Sequence, residues 1–135
     1  MQKILFVCLG NICRSPLGEG IMLHFIEEKN LEKQFQVDSA GTAGYHINEA
    51  PDHRTIANAK KNGVDISKLR ARKFSAEDFD AFDKIYVMDD SNYENVVAVA
   101  KKHYTKKQSR LFIKRTTPPS KQTRTRPLLR NRKGF

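Results

Sequence analysis

The chain has 135 residues with 39% hydrophobic content, which suits one domain around a single core. Its formal net charge of +10 is unevenly held: residues 1–94 carry all 15 acids and a net of −3, whereas residues 95–135 carry no acid and a net of +13. No apolar run approaches membrane-spanning length, no signal-peptide pattern opens the chain, and two cysteines are too few for a disulfide scaffold. A cytoplasmic protein without a structural metal is the expectation, since His24, His46, His53 and His103 are scattered and no C-x-x-C occurs.

The apolar run Ile4-Leu5-Phe6-Val7 reads as a buried strand. Behind it comes Cys8-Leu9-Gly10-Asn11-Ile12-Cys13-Arg14-Ser15-Pro16, a loop that ends in a Ser-Pro helix start. Successive N–H groups in such a turn form a concave nest, and the new helix aims its positive end at it. Arg14 can fork two phosphate oxygens at once. Cys8 at the floor of this nest would be held as thiolate by the surrounding dipoles. Such a thiolate can attack a bound phosphoryl group in line and form a phosphocysteine. Arg14 and the backbone of Leu9, Gly10, Asn11, Ile12 and Cys13 would then neutralise the equatorial oxygens. Ser15 can donate to the sulfur and assist its departure. A cysteine at a strand end also fits plain packing, so the residues alone leave both readings open.

Ser15 as N-cap and Pro16 at the first helical position open a helix to about Lys29 or Asn30, with Ile21, Met22, Phe25 and Ile26 as its core face. Glu19, in the second turn, reads as a solvated helix residue near the rim of the nest. Phe35 to Ser39 is a second strand, followed by the loop Ala40-Gly41-Thr42-Ala43-Gly44. Strand, helix, strand implies a right-handed crossover and a parallel pair, with both loops at the same carboxyl edge. Tyr45 reads as a surface aromatic. A helix from about Asp52 to Asn62 follows Pro51 and is ended by Gly63. Arg70, Arg72 and Lys73 form a solvated charge run, and Ser75-Ala76-Glu77-Asp78 is a capping box opening a short helix. Ile85 to Met88 is the third strand. Ser91-Asn92-Tyr93-Glu94 caps a further helix carrying Val96, Val97 and Val99 or Ala100. The fold class is α/β, a small parallel sheet with helices on both faces.

The loop Cys8 to Pro16, then Glu19, Asp38-Ser39-Ala40-Gly41-Thr42 and Met88-Asp89-Asp90-Ser91-Asn92, together closely resemble the low-molecular-weight protein tyrosine phosphatases, over Met1 to about Tyr104. The resemblance implies about four parallel strands and hydrolysis of aryl phosphomonoesters through phosphocysteine, with no cofactor or metal. Phosphotyrosine proteins or small aryl phosphates would be the substrates. It makes Cys8 the nucleophile, Arg14 the phosphate clamp and Ser15 the donor to sulfur. Ser39, Asp89 and Asn92 become supporting residues, and Tyr45 a wall for the substrate ring. It also implies that Cys13 forms a reversible disulfide with Cys8 on oxidation. A histidine common in the family three places before Arg72 is Leu69 here.

The pattern breaks after Tyr104. The family draws its general acid from a late Asp-Pro-aromatic loop, and no aspartate follows Asp90, so impaired activity is expected. The fourth strand and the closing helix lack counterparts, Leu111-Phe112-Ile113 being the one apolar run left. Residues 1–104 therefore read as a phosphatase-like domain and 105–135 as a basic, disordered arm open to nonspecific polyanion contact. Permitted codons for Arg124 to Arg132, read one base later, give Glu-Pro-Asp-Pro-Tyr-Tyr-Gly-Thr-Glu. That is the missing acid loop. The same offset turns Lys107 to Arg115 into a sequence resembling the family's approach to its fourth strand. A frameshift near Lys106-Lys107 is the resulting hypothesis, which sequencing the gene tests. Alternatives to an active phosphatase are a phosphate-binding pseudophosphatase, an arsenate reductase-like enzyme, which would need further cysteines, and a basic polyanion-binding protein indifferent to Cys8.

Overall fold

A computed structural model describes residues 1–103 and the backbone of 113–115. The element order is β1 (Gln2–Cys8), α1 (Arg14–Glu28), β2 (Phe35–Gly41), α2 (His53–Lys61), α3 (Asp78–Ala81), β3 (Lys84–Val87), α4 (Asp90–His103) and β4 (Ile113–Arg115). The four strands form one sheet in the order β2-β1-β3-β4. All pairs are parallel: Gln2↔Phe35 through Cys8↔Gly41, Ile4↔Lys84 through Val7↔Val87, and Ile85↔Ile113 through Val87↔Arg115. The fourth strand expected to be missing is therefore present. It was illegible because only Ile113 of its three residues is apolar, and a parallel partner rather than periodicity defines it. The frameshift position, the closing helix and the rest of the basic arm lie outside the described residues.

Strand alternation sorts the core into two layers. Leu5 and Val7 of β1 join Ala40, Ile85 and Val87 on one face, covered by Phe79 of α3 and by Tyr93, Val96 and Val99 of α4. Ile4 and Phe6 join Val37, Phe35 and Tyr86 on the other, under Met22, Leu23 and Ile26 of α1. Helices thus lie on both faces. The predicted core stripe of α1 is rotated, however: Ile26 is buried, while Ile21 is 40% and Phe25 51% exposed. The buried side of the helix is Ser15, Pro16, Glu19, Gly20 and Ile26. Gly20 lies there because a Cβ would run into Ile66 and Val64, so α1 and the segment after α2 pack backbone against side chain.

Because every strand is parallel, the loops after β1, β2 and β3 leave the same edge. β1 has β2 on one side and β3 on the other, so the chain diverges there in both directions. The loop after Cys8 opens into that divergence, flanked by residues 42–52 and by Asp89.

Candidate active site

Helix α1 begins at Arg14, with Cys13 as its N-cap and no side-chain capping bond. Ser15 is not the cap, because its hydroxyl is drawn inward: Ser15 Oγ lies 3.0 Å from Cys8 Sγ and 3.5 Å from the carbonyl of Ala40. Pro16 consequently sits in the first turn rather than at its first position, where its missing N–H is still harmless.

The positive φ of the loop falls on Asn11, at 60°, rather than on Gly10. Asparagine tolerates that conformation better than most residues, and here its amide links three segments. Asn11 Nδ2 donates to Ser15 Oγ at 2.8 Å and to Ser39 Oγ at 2.9 Å, while Oδ1 accepts from the N–H of Arg72 at 2.9 Å. Both amide protons are thereby spent, so the hydroxyl proton of Ser15 is left to point at Cys8 Sγ or at Ala40. A thiolate on Cys8 would select the first.

Three of the loop's carbonyls bond to the segment 42–52. Cys8 O accepts from Thr42 N and Leu9 O from Ala43 N, both at 2.9 Å, and Ile12 O accepts from Asp52 N at 2.8 Å. The N–H groups from Gly10 to Arg14 have no protein acceptor among the described residues. This is the arrangement an anion cradle requires. Gly41 permits it: a Cβ there would stand 2.8 Å from Leu9 O and 3.1 Å from Asn11 N, both backbone atoms. Gly41→Ala is expected to cost about 2 kcal/mol by forcing the loop away from β2. Urea midpoints of the two proteins measure it.

Arg14 and Asp89 meet at 3.1 Å on the rim, both about half exposed. The other oxygen of Asp89 accepts from Asn92 N at 2.8 Å, so Asp89 caps α4 in place of Ser91. One carboxylate thus fixes the guanidinium and the neighbouring helix together. Asn92 is 2% exposed and lies within the fold rather than at the rim. A hollow of about 290 Å³ is lined by Cys8, Leu9, Gly10, Ile12, Cys13, Arg14, Tyr45 and His46. Cys8 is buried at its floor and Cys13 exposed at its mouth, both as free thiols. Tyr45, 72% exposed, stands as one wall.

Three residues carry more than their sequence context suggests. Arg72 is no solvated charge: it binds Asp38 at 3.1 Å and both oxygens of Asp78 at 3.0 and 3.1 Å. His46 enters the hollow. Glu19 is 7% exposed, and its Oε1 accepts from Ser39 Oγ at 2.6 Å. Glu19 and Asn11 had a readable signal, since each is a polar residue beside a glycine in an otherwise apolar or tightly turned stretch. Arg72 had none, because its partners, Asp38 on β2 and Asp78 on α3, belong to separate elements.

Burial pushes the Glu19 carboxyl up to about 7, outweighing the bond from Ser39. The folded chain therefore holds a proton that the unfolded chain, with this group near 4.5, releases. The contribution of Glu19 to stability is full below that lower value, is lost as pH rises to about 7, and stays lost above. Glu19→Gln should flatten this dependence and raise stability at pH 8 by on the order of 3 kcal/mol. Denaturant titrations at pH 5 and 8 measure the difference.

The model of the family described as low molecular weight phosphotyrosine protein phosphatase matches residues 3–117, past Tyr104 where the motif resemblance ends. A curated relative of that description from Dictyostelium discoideum is 42% identical over 126 residues, covering 84% of this chain and 70% of the relative. One from Schizosaccharomyces pombe is 47% identical over 95 residues, covering 70% and 60%. The crystal structure of YfkJ from Bacillus subtilis superposes with a TM-score of 0.76 at 38% identity, over 85% of this chain and 69% of that one. The chain thus spans about 60–70% of the length of these proteins. With the family model covering most of the residues and the sheet order and cradle in place, the chain belongs to the low molecular weight phosphotyrosine protein phosphatases.

Proposed function

We propose that this chain hydrolyses aryl phosphomonoesters, phosphotyrosine in proteins among them, through a phosphocysteine on Cys8. The observation that carries the reading is the position of Cys8 Sγ. It lies 3.0 Å from a serine hydroxyl and lines one hollow with Arg14, beside a loop whose N–H groups from Gly10 to Arg14 have no protein acceptor among the described residues.

In the first step the thiolate attacks phosphorus, the S–P bond forms and the P–O bond to the aryl group breaks. The backbone N–H groups and Arg14 meet the charge on the equatorial oxygens. In the second step water attacks phosphorus, the S–P bond breaks, and Ser15 donates to the departing sulfur. Ser39 acts through Asn11 to hold that hydroxyl, Asp89 through Arg14, and Asn92 by anchoring the helix that Asp89 caps. Tyr45 offers its face to the substrate ring. No carboxylate is among the described residues that line the hollow. Asp89 is bound to Arg14 and to the start of α4, which suits bracing rather than proton donation. Substrates whose phenol leaves badly therefore depend on a proton donor other than a carboxylate.

Hydrolysis of p-nitrophenyl phosphate, whose leaving group needs little protonation, tests the proposal against a Cys8→Ser control. Cys8-dependent turnover is the expected result. A folded chain that binds tungstate without turnover would support a phosphate-binding pseudophosphatase, the second reading that the lack of a lining carboxylate favours.

A further inference from the structure

Among the described residues, the lining of the hollow above Cys8 has no carboxylate but contains an imidazole. His46 and Tyr45 together form its side wall. His46 Nδ1 lies 3.0 Å from Glu49 Oε1, and a carboxylate is acceptor only, so Nδ1 carries the proton of that bond. That contact assigns the ring's orientation and leaves Nε2 as the nitrogen free for other chemistry. The ring's Cδ2–Nε2 edge rests against the cradle: a Cβ on Gly10 would lie 3.1 Å from Cδ2 and 3.8 Å from Nε2.

The segment bearing this pair is anchored to Ala71 through Asn48 and Glu49. Asn48, at φ 70°, donates to Ala71 O at 2.8 Å, Ala71 donates to Glu49 O at 2.9 Å, and Glu49 N closes a turn onto His46 O at 2.9 Å. The titratable and charged groups facing the imidazole are Glu49 on its own turn, Tyr45 with ring centroids 6.4 Å apart, and Cys8, Cys13 and Arg14 around the hollow.

We propose that His46 is the general acid of this chain, oriented by Glu49, donating its Nε2 proton to the aryl oxygen as it leaves. In-line attack by Cys8 sends the leaving oxygen away from the sulfur, into the hollow that His46 lines. As the S–P bond forms and the P–O bond breaks, the Nε2 proton passes to the phenolate oxygen and the imidazole becomes neutral. In the second step the neutral Nε2 takes a proton from the attacking water, which restores the imidazolium. The inference rests on the phosphatase reading above and supplies that site with its missing proton donor.

The test compares kcat/KM for phenyl phosphate, a poor leaving group, with that for p-nitrophenyl phosphate, a good one. General acid catalysis is worth about 10²- to 10⁴-fold, so the phenyl to nitrophenyl ratio should fall at least about tenfold in His46→Gln and part of the way in Glu49→Gln. In the wild-type chain the ratio should fall as pH rises and the donor loses its proton, since the substrates' own phosphate titrations largely cancel. That measurement needs no variant to fold. A ratio unchanged in a folded His46→Gln, or flat with pH in the wild type, overturns the role of His46 while leaving the phosphatase reading intact. Absence of any nitrophenyl phosphate turnover removes that reading and the inference with it.

Discussion

Cys8→Ser is expected to lower p-nitrophenyl phosphate turnover by at least about 10⁴-fold while leaving the fold and anion binding in place. A serine hydroxyl in the same cradle is a far weaker nucleophile than a cysteine sulfur. The loss is therefore in nucleophile chemistry. Cys8 is 3% exposed and its sulfur faces Ser15 Oγ at 3.0 Å, so a smaller hydroxyl has a partner ready and leaves no orphaned polar atom. Steady-state kinetics measure the loss, and calorimetric titration with tungstate checks that binding survives.

Arg14→Lys should lower kcat/KM by about 10²- to 10³-fold, the range for removing preorganised stabilisation of transition-state oxygens. The charge survives this substitution, so the loss isolates geometry. A guanidinium can hold Asp89 with one nitrogen and present a fork to phosphate with the rest, while an ammonium is a point charge that Asp89 can occupy fully. The 3.1 Å contact between Arg14 and Asp89 makes that capture the expected outcome. Tungstate affinity should fall far less than kcat/KM, which distinguishes lost alignment from lost attraction.

The sequence carried most of the scaffold because its signals are local. Strand runs, Asp52 before α2 and Gly63 after it, and the anion loop between β1 and α1 each announce themselves within a few residues. The observed bounds of α2, with Gly63 at φ 83°, agree with that reading. What it missed lies across distance. Ser15 and Ser91 look like caps locally, yet tertiary demand reassigns both: the first hydroxyl turns to Cys8, and Asp89 takes the place of the second. The exposed Ile21 and Phe25 show the same limit, since helical periodicity names a stripe but the sheet decides which side of it is covered. Glu19 and Arg72 were read as solvated because charged residues usually are, and their burial follows from Ser39, Asp38 and Asp78 arriving from other elements.

Asn11 joins its own loop to Ser39 and to the backbone at residue 72, and Arg14 reaches Asp89. The cradle is thus closed by contacts spanning 28, 61 and 75 positions of the chain. Local order alone never completes it, since each of these contacts needs a partner from another element. During synthesis Cys8 is made early, but the contacts that close its loop wait for Asp89 to emerge. An oxyanion that needs the closed loop recognises the finished molecule and not its partly folded precursors, which makes the ligand a brake on unfolding as well as an occupant of the site.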